Sequence, residues 1–427
     1  MARQNDREAG DGQGHVQAQA GLRAEGCGDA GPDAPRGRAQ DHQEVRARHE
    51  VRDHHHAHEG PPAHVHPSIV APDGRPVSPS AWAATPVRDT VPAMTDAGTR
   101  RLLRTRRWTP PPAPADAGRT PATRPFDVVA RIATGAGPED VVFDREGRLL
   151  AGTADGEVVR IDLSRGHREV LARTGGRPLG LEPAHDGSVL VCDHDRGLLR
   201  VRPDGEVEVL VDSLAGTPLR FASNVVEARD GTIWFTVSTR RWDLEHYLGD
   251  VLEHSCTGAL ARRDPDGTVT VLADDLKFAN GLVLAPDESH LVVAETAGYR
   301  LRRYRLTGPA AGTWESFADN LPGMPDNASL GSDGLVWVAY AAPRNALLDR
   351  LLPRPGFLRT VVWNLPESVQ PKPEPIAWVA AFDLDGRLVH DLRSARDDYG
   401  FVTAVAERDG VLVAGRLHAD DAVVVEL

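Results

Sequence analysis

The sequence predicts an all-β fold, a six-bladed β-propeller behind a disordered N-terminal extension. Three observations predict it. From Phe126 onward, runs of four to eight alternating residues are broken by Asp-Gly turns. One strand-turn-strand unit recurs six times in that region. Before it, residues 1–125 keep no helical or strand period.

The repeat reads VVFDREGRLLAG, LEPAHDGSVLVCD, VVEARDGTIWFT, LVLAPDESHLVVAE, ASLGSDGLVWVAY and TAVAERDGVLVAG. Its turn acids are Glu146, Asp186, Asp230, Asp287, Asp333 and Asp409, spaced by 40, 44, 57, 46 and 76 residues. The fourth copy carries Asp287-Glu288 where the others have a Gly turn. Further strands follow several copies, as in GLLRVRPDGEVEVLV and GALARRDPDGTVTVLA, which gives about four strands per unit of roughly 50 residues. Blades of that size bury their faces against their neighbours in a ring. The first strand, FDVVARIA, and the last, AVVVEL, are expected to share one blade and leave no open edge. The two long spacings mark insertions, Thr239–Gly258 and Pro343–Pro375, read as lids or binding loops. A helix is expected over Asn345–Leu352, ended by Pro353.

Residues 1–125 hold 17 Arg, no Lys, 15 acidic residues and nine His, including His54, His55, His56 and His58. Such a segment cannot bury enough apolar surface to offset its chain entropy. The His tract is read as solvated polar chain rather than a metal site. Pro111–Gly118 reads as a semi-rigid linker. The expected domains are therefore a head over 1–125 and a propeller over 126–427. Only two lysines, Lys277 and Lys372, stand against 47 arginines, a bias of GC-rich coding.

A net charge of −13 argues against a nucleic-acid backbone as partner and tolerates a bound cation. No apolar run approaches the ~18 residues that span a bilayer, so no membrane partner is expected. Three scattered cysteines, Cys27, Cys192 and Cys256, form neither a disulfide framework nor a zinc set. The expected location is cytoplasmic and the expected partner a small-molecule substrate.

Six or seven residues before each turn acid stand Glu139, Leu179, Asn224, Asn280, Asp326 and Val402. In a propeller this slot opens the innermost strand and faces the central channel. Taken singly, Asn or Asp before a strand makes an Asx turn. Four oxygen-bearing side chains at one offset in separate repeats instead converge near the axis. Two carboxylates and two amide carbonyls make a hard, all-oxygen site suited to Ca²⁺ or another divalent cation. Asn327 is an added ligand or a support for Asp326.

These residues lie in the motifs GRPLGL (176–181), FASNVV (221–226), LKFANGLVL (276–284) and LPGMPDN (321–327). With them the sequence resembles the strictosidine synthase-like family, within the calcium-propeller group that includes gluconolactonases (regucalcin) and paraoxonases. The resemblance spans nearly all of Phe126–Leu427 and none of the head. It implies a six-bladed propeller and gives Glu139, Asn224, Asn280 and Asp326 the role of calcium ligands. Plant strictosidine synthase places a glutamate where this chain aligns Thr403. Paraoxonases place a His where this chain has Leu179, which leaves His194 near the second position of their dyad.

The reading that follows is a calcium-dependent hydrolase of a lactone or ester, with Asp326 or His194 as general base. His194 reads equally as a hydrogen-bonding residue of a strand-end turn. Two alternatives remain: a strictosidine-type amine-aldehyde condensing enzyme, and a non-enzymatic binding propeller with structural calcium. The first insertion brings Trp242, His246, Tyr247, Glu253 and His254 toward the channel mouth and reads as a lid and specificity loop. No Gly-x-Ser-x-Gly elbow or phosphate loop is present. Synthesis is expected to begin at Met94. The intact mass of the native protein tests this, and a mass equal to the full chain overturns it.

Overall fold

Strand pairing in the computed structural model runs through six four-stranded antiparallel sheets. The model describes residues 103–114, 124–366, 374–395 and 398–427. The His54–His58 tract, Met94 and most of the expected head lie outside the described residues.

Each sheet is one blade, with four strands from the axis outward that are consecutive in the first five blades. The innermost strands are Val141–Phe143, Pro178–Pro183, Ala222–Glu227, Ala279–Leu284, Gly323–Leu330 and Val402–Arg408. They touch one another in a ring. Burial explains the strand sequences. Second strands such as Leu149–Gly152, Val189–Asp193 and Ile233–Val237 are buried throughout, so they read as unbroken apolar runs. The outer strand His167–Arg173 is mostly exposed and polar.

The core sits between blades rather than within them. Six of the hydrophobic clusters each join two neighbouring blades, as Leu150 and Val158 of the first blade pack on Leu181 and Val191 of the second. The last interface is made as expected: Val128–Ala133 pairs with Asp421–Val425 and becomes the outer strand of the sixth blade. N- and C-terminal strands thereby close the ring without leaving an unpaired edge.

The turns follow their chemistry. Asp186, Asp230, Asp287 and Asp333 each accept the backbone N–H two residues on. Glycines at 147, 187, 231, 334 and 410 take the left-handed position, and Glu288 takes it at φ 56° in the copy without glycine.

The two insertions both join the second strand of a blade to its third, in the third and fifth blades. Since innermost strands begin at the slot end and neighbours run antiparallel, these connections return to that same end. The first insertion forms helix α1 (Tyr247–Glu253) after a 3₁₀ turn. The second forms α2 (Ala346–Leu351) and α3 (Phe357–Trp363). Helix α2 falls within the expected Asn345–Leu352, and the Asn345 side chain caps it by accepting from Leu347 and Leu348 N–H.

Residues 103–114, within the span read as head, lie against the two insertions. Leu103 and Trp108 are buried, against α1 and the second insertion. Two apolar anchors within an arginine-rich run help to seat the segment, although composition marks it as head.

Leu412, fully buried where the fifth and sixth blades meet, tests closure. Leu412→Ala is expected to cost ~2–5 kcal/mol in urea unfolding. Val129→Ala on the exposed outer strand is expected to cost little.

Candidate metal centre

The candidate ligands stand on a repeated irregularity of the innermost strands. In the second to fifth blades, two residues there face one on the neighbouring strand: Leu179-Gly180, Ser223-Asn224, Asn280-Gly281 and Asp326-Asn327. Such a β-bulge re-aims side chains and ends local pairing. In the sixth blade Thr403 is the extra residue. Glu139-Asp140 precede the first blade's innermost strand at the matching place. The slot is thus two residues wide, which corrects the single position inferred from spacing. Glu139, Asn280 and Asp326 hold its first place, and Asn224 holds its second, beside Ser223. Glycine at the second place serves packing: a Cβ on Gly281 would meet Ala328 N at 2.5 Å and Asp326 O at 2.6 Å in the next blade.

All five proposed ligands are buried and lie in two hydrogen-bonded groups. Asn224 Nδ2 donates to Asn327 Oδ1 at 3.2 Å, and Asn327 Nδ2 donates to Glu139 Oε1 at 3.1 Å. These bonds join the third, fifth and first blades, so they cross the channel. Asn280 Nδ2 donates to Asp326 Oδ1, while Ser223 Oγ donates to Asn280 Oδ1 at 2.9 Å. Asn224 Oδ1 accepts Leu282 N–H at 3.2 Å. Thr403 Oγ1 donates to the Glu139 carbonyl at 2.7 Å and so ties the sixth blade to the first.

Charge is concentrated without full compensation. Burial pushes the Glu139 carboxyl up to about 7, against the pull of Arg177 and the Asn327 bond. Burial, then the neighbouring Glu139, holds Asp326 well above the usual carboxylate range. Asp140, missed in the sequence, is raised in the same way and accepts N–H from Leu181 and Val141, both at 2.9 Å. Arg177 is the cation opposed to Glu139, and its Nη2 donates to Gly137 O at 2.8 Å. Its place in GRPLGL was the available signal; the adjacent acids in PEDVVF were the signal for Asp140.

The residues fit a hard dication. Glu139 Oε2 is buried without a hydrogen-bond partner. Two further carboxylates are destabilised as anions by burial and by each other. The donors nearby are oxygens, with no thiolate or imidazole among the five. Asn224 Oδ1 keeps one lone pair after Leu282. Asn280 presents its NH₂ to Asp326, and the Ser223 hydroxyl, able to donate or accept, permits the turned amide as well.

His194 is buried but makes no hydrogen bond or ion pair with the five. Leu244 N–H donates to its Nε2 at 3.4 Å, and its ring meets Phe221 edge-on at 5.1 Å. Its Nδ1 has no partner. Burial lowers its pKa, partly offset by Asp195, Glu245 and Asp243. Leu179, Phe221, Phe278 and Ala297 form a buried apolar collar, and Leu244 and Tyr247 of the lid pack on it. Burial raises the Tyr247 phenol, with a second contribution from Asp326. Asp243, Glu245 and His246 group within 4.8 Å on the outer lid and take no part in the channel cluster.

Glu253 and His254 turn inward to hold the lid rather than toward the channel. Glu253 accepts from Trp242 Nε1 at 2.6 Å and from Arg241 Nε at 2.7 Å. His254 stacks on Trp108 with ring centroids 4.5 Å apart.

Comparison with known proteins identifies the family and the fold. A family model described as strictosidine synthase matches residues 224–309, and one described as strictosidine synthase-like, N-terminal, matches 129–161. The chain is 34% identical over 314 residues to an adipocyte plasma membrane-associated protein of Salmo salar, covering 66% of this chain and 74% of that one. It is 34% identical over 256 residues to protein strictosidine synthase-like 6 of Arabidopsis thaliana, covering 58% and 68%. Among solved structures, a gluconolactonase from Xanthomonas campestris superposes with TM-score 0.52 at 19% identity, covering 72% of this chain and 99% of that one. A calcium-binding protein, regucalcin, from Agrobacterium tumefaciens gives 0.50 at 18%, covering 72% and 97%. At these identities the structures share the fold.

The lid carries its own pH dependence. Burial, with Lys277, Arg359, Arg300 and Arg106 around it, pushes His254 down to about 3. A folded-state pKa below the unfolded value of ~6.5 means that the unfolded chain binds the proton first. The neutral His254 contribution is therefore complete above pH ~6.5 and is lost as the pH falls toward 3. Unfolding free energy of the parent is expected to fall faster across that window than that of His254→Asn, by up to ~1.4 kcal/mol per pH unit. Parallel pH profiles would refute the assignment.

Proposed function

The chain belongs to the strictosidine synthase-like family, and from that premise we propose that it is a calcium-dependent hydrolase of a lactone or ester. One observation carries the reading: the buried Glu139 and Asp326 carboxylates, one with an unpartnered oxygen, set among three asparagines on the propeller axis. That arrangement is costly for the protein alone and is relieved by a dication.

Glu139, Asn224, Asn280 and Asp326 would hold the ion, and Asn327 braces Glu139 against Asn224 across the channel. Bound calcium supplies Lewis-acid polarisation of a substrate carbonyl and counter-charge for the developing oxyanion. In this reading Asp326 accepts the proton of an attacking water. His194, which burial favours as neutral, is the alternative acceptor at Nε2, the nitrogen that Leu244 N–H now occupies, since its ring proton then sits on Nδ1. The collar of Leu179, Phe221 and Phe278 receives the substrate's apolar part, and the lid over it excludes bulk water. Thr403, engaged with the Glu139 carbonyl, offers no carboxylate for an amine-aldehyde condensation.

Elemental analysis of the full chain is expected to give about one calcium per chain. Turnover in a lactone and aryl-ester panel is expected to vanish with chelator. Asp326→Asn, still folded by circular dichroism, is expected to lose activity by ~100-fold or more. A folded, metal-free protein would overturn the site. Bound calcium without turnover of any panel member would instead favour a binding propeller.

A further inference from the structure

We propose that residues 103–114 are a latch, a detachable strap that holds both lid insertions shut over the channel, with the Trp108 indole as its bolt. This inference rests on the lid geometry and stands whether or not the site is a hydrolase.

The strap touches both insertions of the lid. Leu103 packs with Trp242 of the first insertion and Trp363 of α3. Trp108 packs with Val251 of α1, Leu348 and Leu352 of the second insertion, and Tyr299 of the fourth blade. Its ring lies flat on His254, with the planes 8° apart, and the Lys277 ammonium is 4.6 Å from its centroid. Thr105 lies against Gly356, where a Cβ would overlap its hydroxyl.

Backbone bonds complete the seating. Arg104 N–H donates to Glu253 Oε1 at 2.7 Å and Arg106 N–H to Glu253 O at 2.9 Å. Trp108 N–H donates to Leu352 O at 3.3 Å. Arg344 Nη2 donates to Pro111 O at 2.7 Å, and Asn320 Nδ2 to Pro112 O at 3.0 Å. Arg359, buried in α3, binds Leu252 O, Glu253 O and the strap carbonyl of Arg106, so one guanidinium gathers all three segments.

Two features make the strap a latch rather than a part of the frame. It pairs with no strand, so it can leave without opening a blade. The site beneath is closed: Glu139, Asn224, Asn280, Asp326 and Asn327 are each at most 7% exposed. Lifting the lid would uncover them, and the strap adds its contacts to the direct ones that join the insertions to each other, Trp242 on Trp363, and to the fourth blade, Tyr299 Oη to Asp349.

Cys256 supplies the readout, since it is buried in the first insertion, while Cys192 is buried in the blade core. The full chain would carry Cys27→Ser and be treated with an aromatic disulfide reagent. Trp108→Gly is expected to speed Cys256 labelling about tenfold or more, and ~1 mM indole to return it toward the parent rate. Trp108→Phe is expected to fall between. The propeller's circular dichroism and main unfolding transition are expected to persist. An unchanged labelling rate would overturn the latch, and so would an acceleration that indole does not reverse, because that is general loosening. Should the glycine variant fail to fold, a parent-like rate in Trp108→Phe decides against it.

Discussion

The structure depends on the fact that no blade can bury its own faces. A four-stranded sheet has two sides, and in this chain both are largely apolar near the axis. Burial is therefore completed only between blades, and the ring must close. Closure is achieved by lending the N-terminal strand Val128–Ala133 to the last sheet. The six inter-blade clusters and the crowding of six innermost strands around one axis are consequences of this single requirement.

That crowding creates the chemical centre. Six strand starts meet in a narrow space, and in five of them a bulge turns side chains that a regular ladder would have sent between the sheets. The chain places acids and amides there rather than apolar residues, at an electrostatic cost visible in Glu139, Asp140 and Asp326. Buried like charges against one arginine are a poor way to stabilise a fold. They are a good way to hold a cation, which is why they carry the functional reading. Thr403 and Asn327, through the Glu139 carbonyl and carboxylate, couple this centre to the closure of the ring.

The lid follows from topology as much as from sequence. Connections from second to third strands end where the innermost strands begin, so the two insertions arrive over the site without further instruction. Their own packing is modest, three helices of six or seven residues, and it is extended by a strap from outside the propeller. Tyr247 and Leu244 reach the collar, whereas Glu253 and His254, equally plausible as channel residues in the sequence, turn toward the strap.

The sequence by itself determined the all-β class, the six repeats, the closing strand pair and the short helix ahead of Pro353, because period, turn chemistry and a proline stop are local properties. It also determined which residues meet at the axis, since Glu139, Asn224, Asn280 and Asp326 share an offset and propeller symmetry converts offset into position. Only the tertiary structure decided that the offset is a two-residue bulge, that Asp140 and Arg177 belong to the same charge cluster, and that His194 faces the lid turn and Phe221 instead of the acids. Bulges come from pairing with another strand, and hydrogen-bond partners 40 residues apart, such as Arg177 and Gly137, leave no periodic mark. The strap is the clearest case. Its composition is that of the head, and its order comes from a cleft built by residues 242 to 363, which no window of sequence around Trp108 contains.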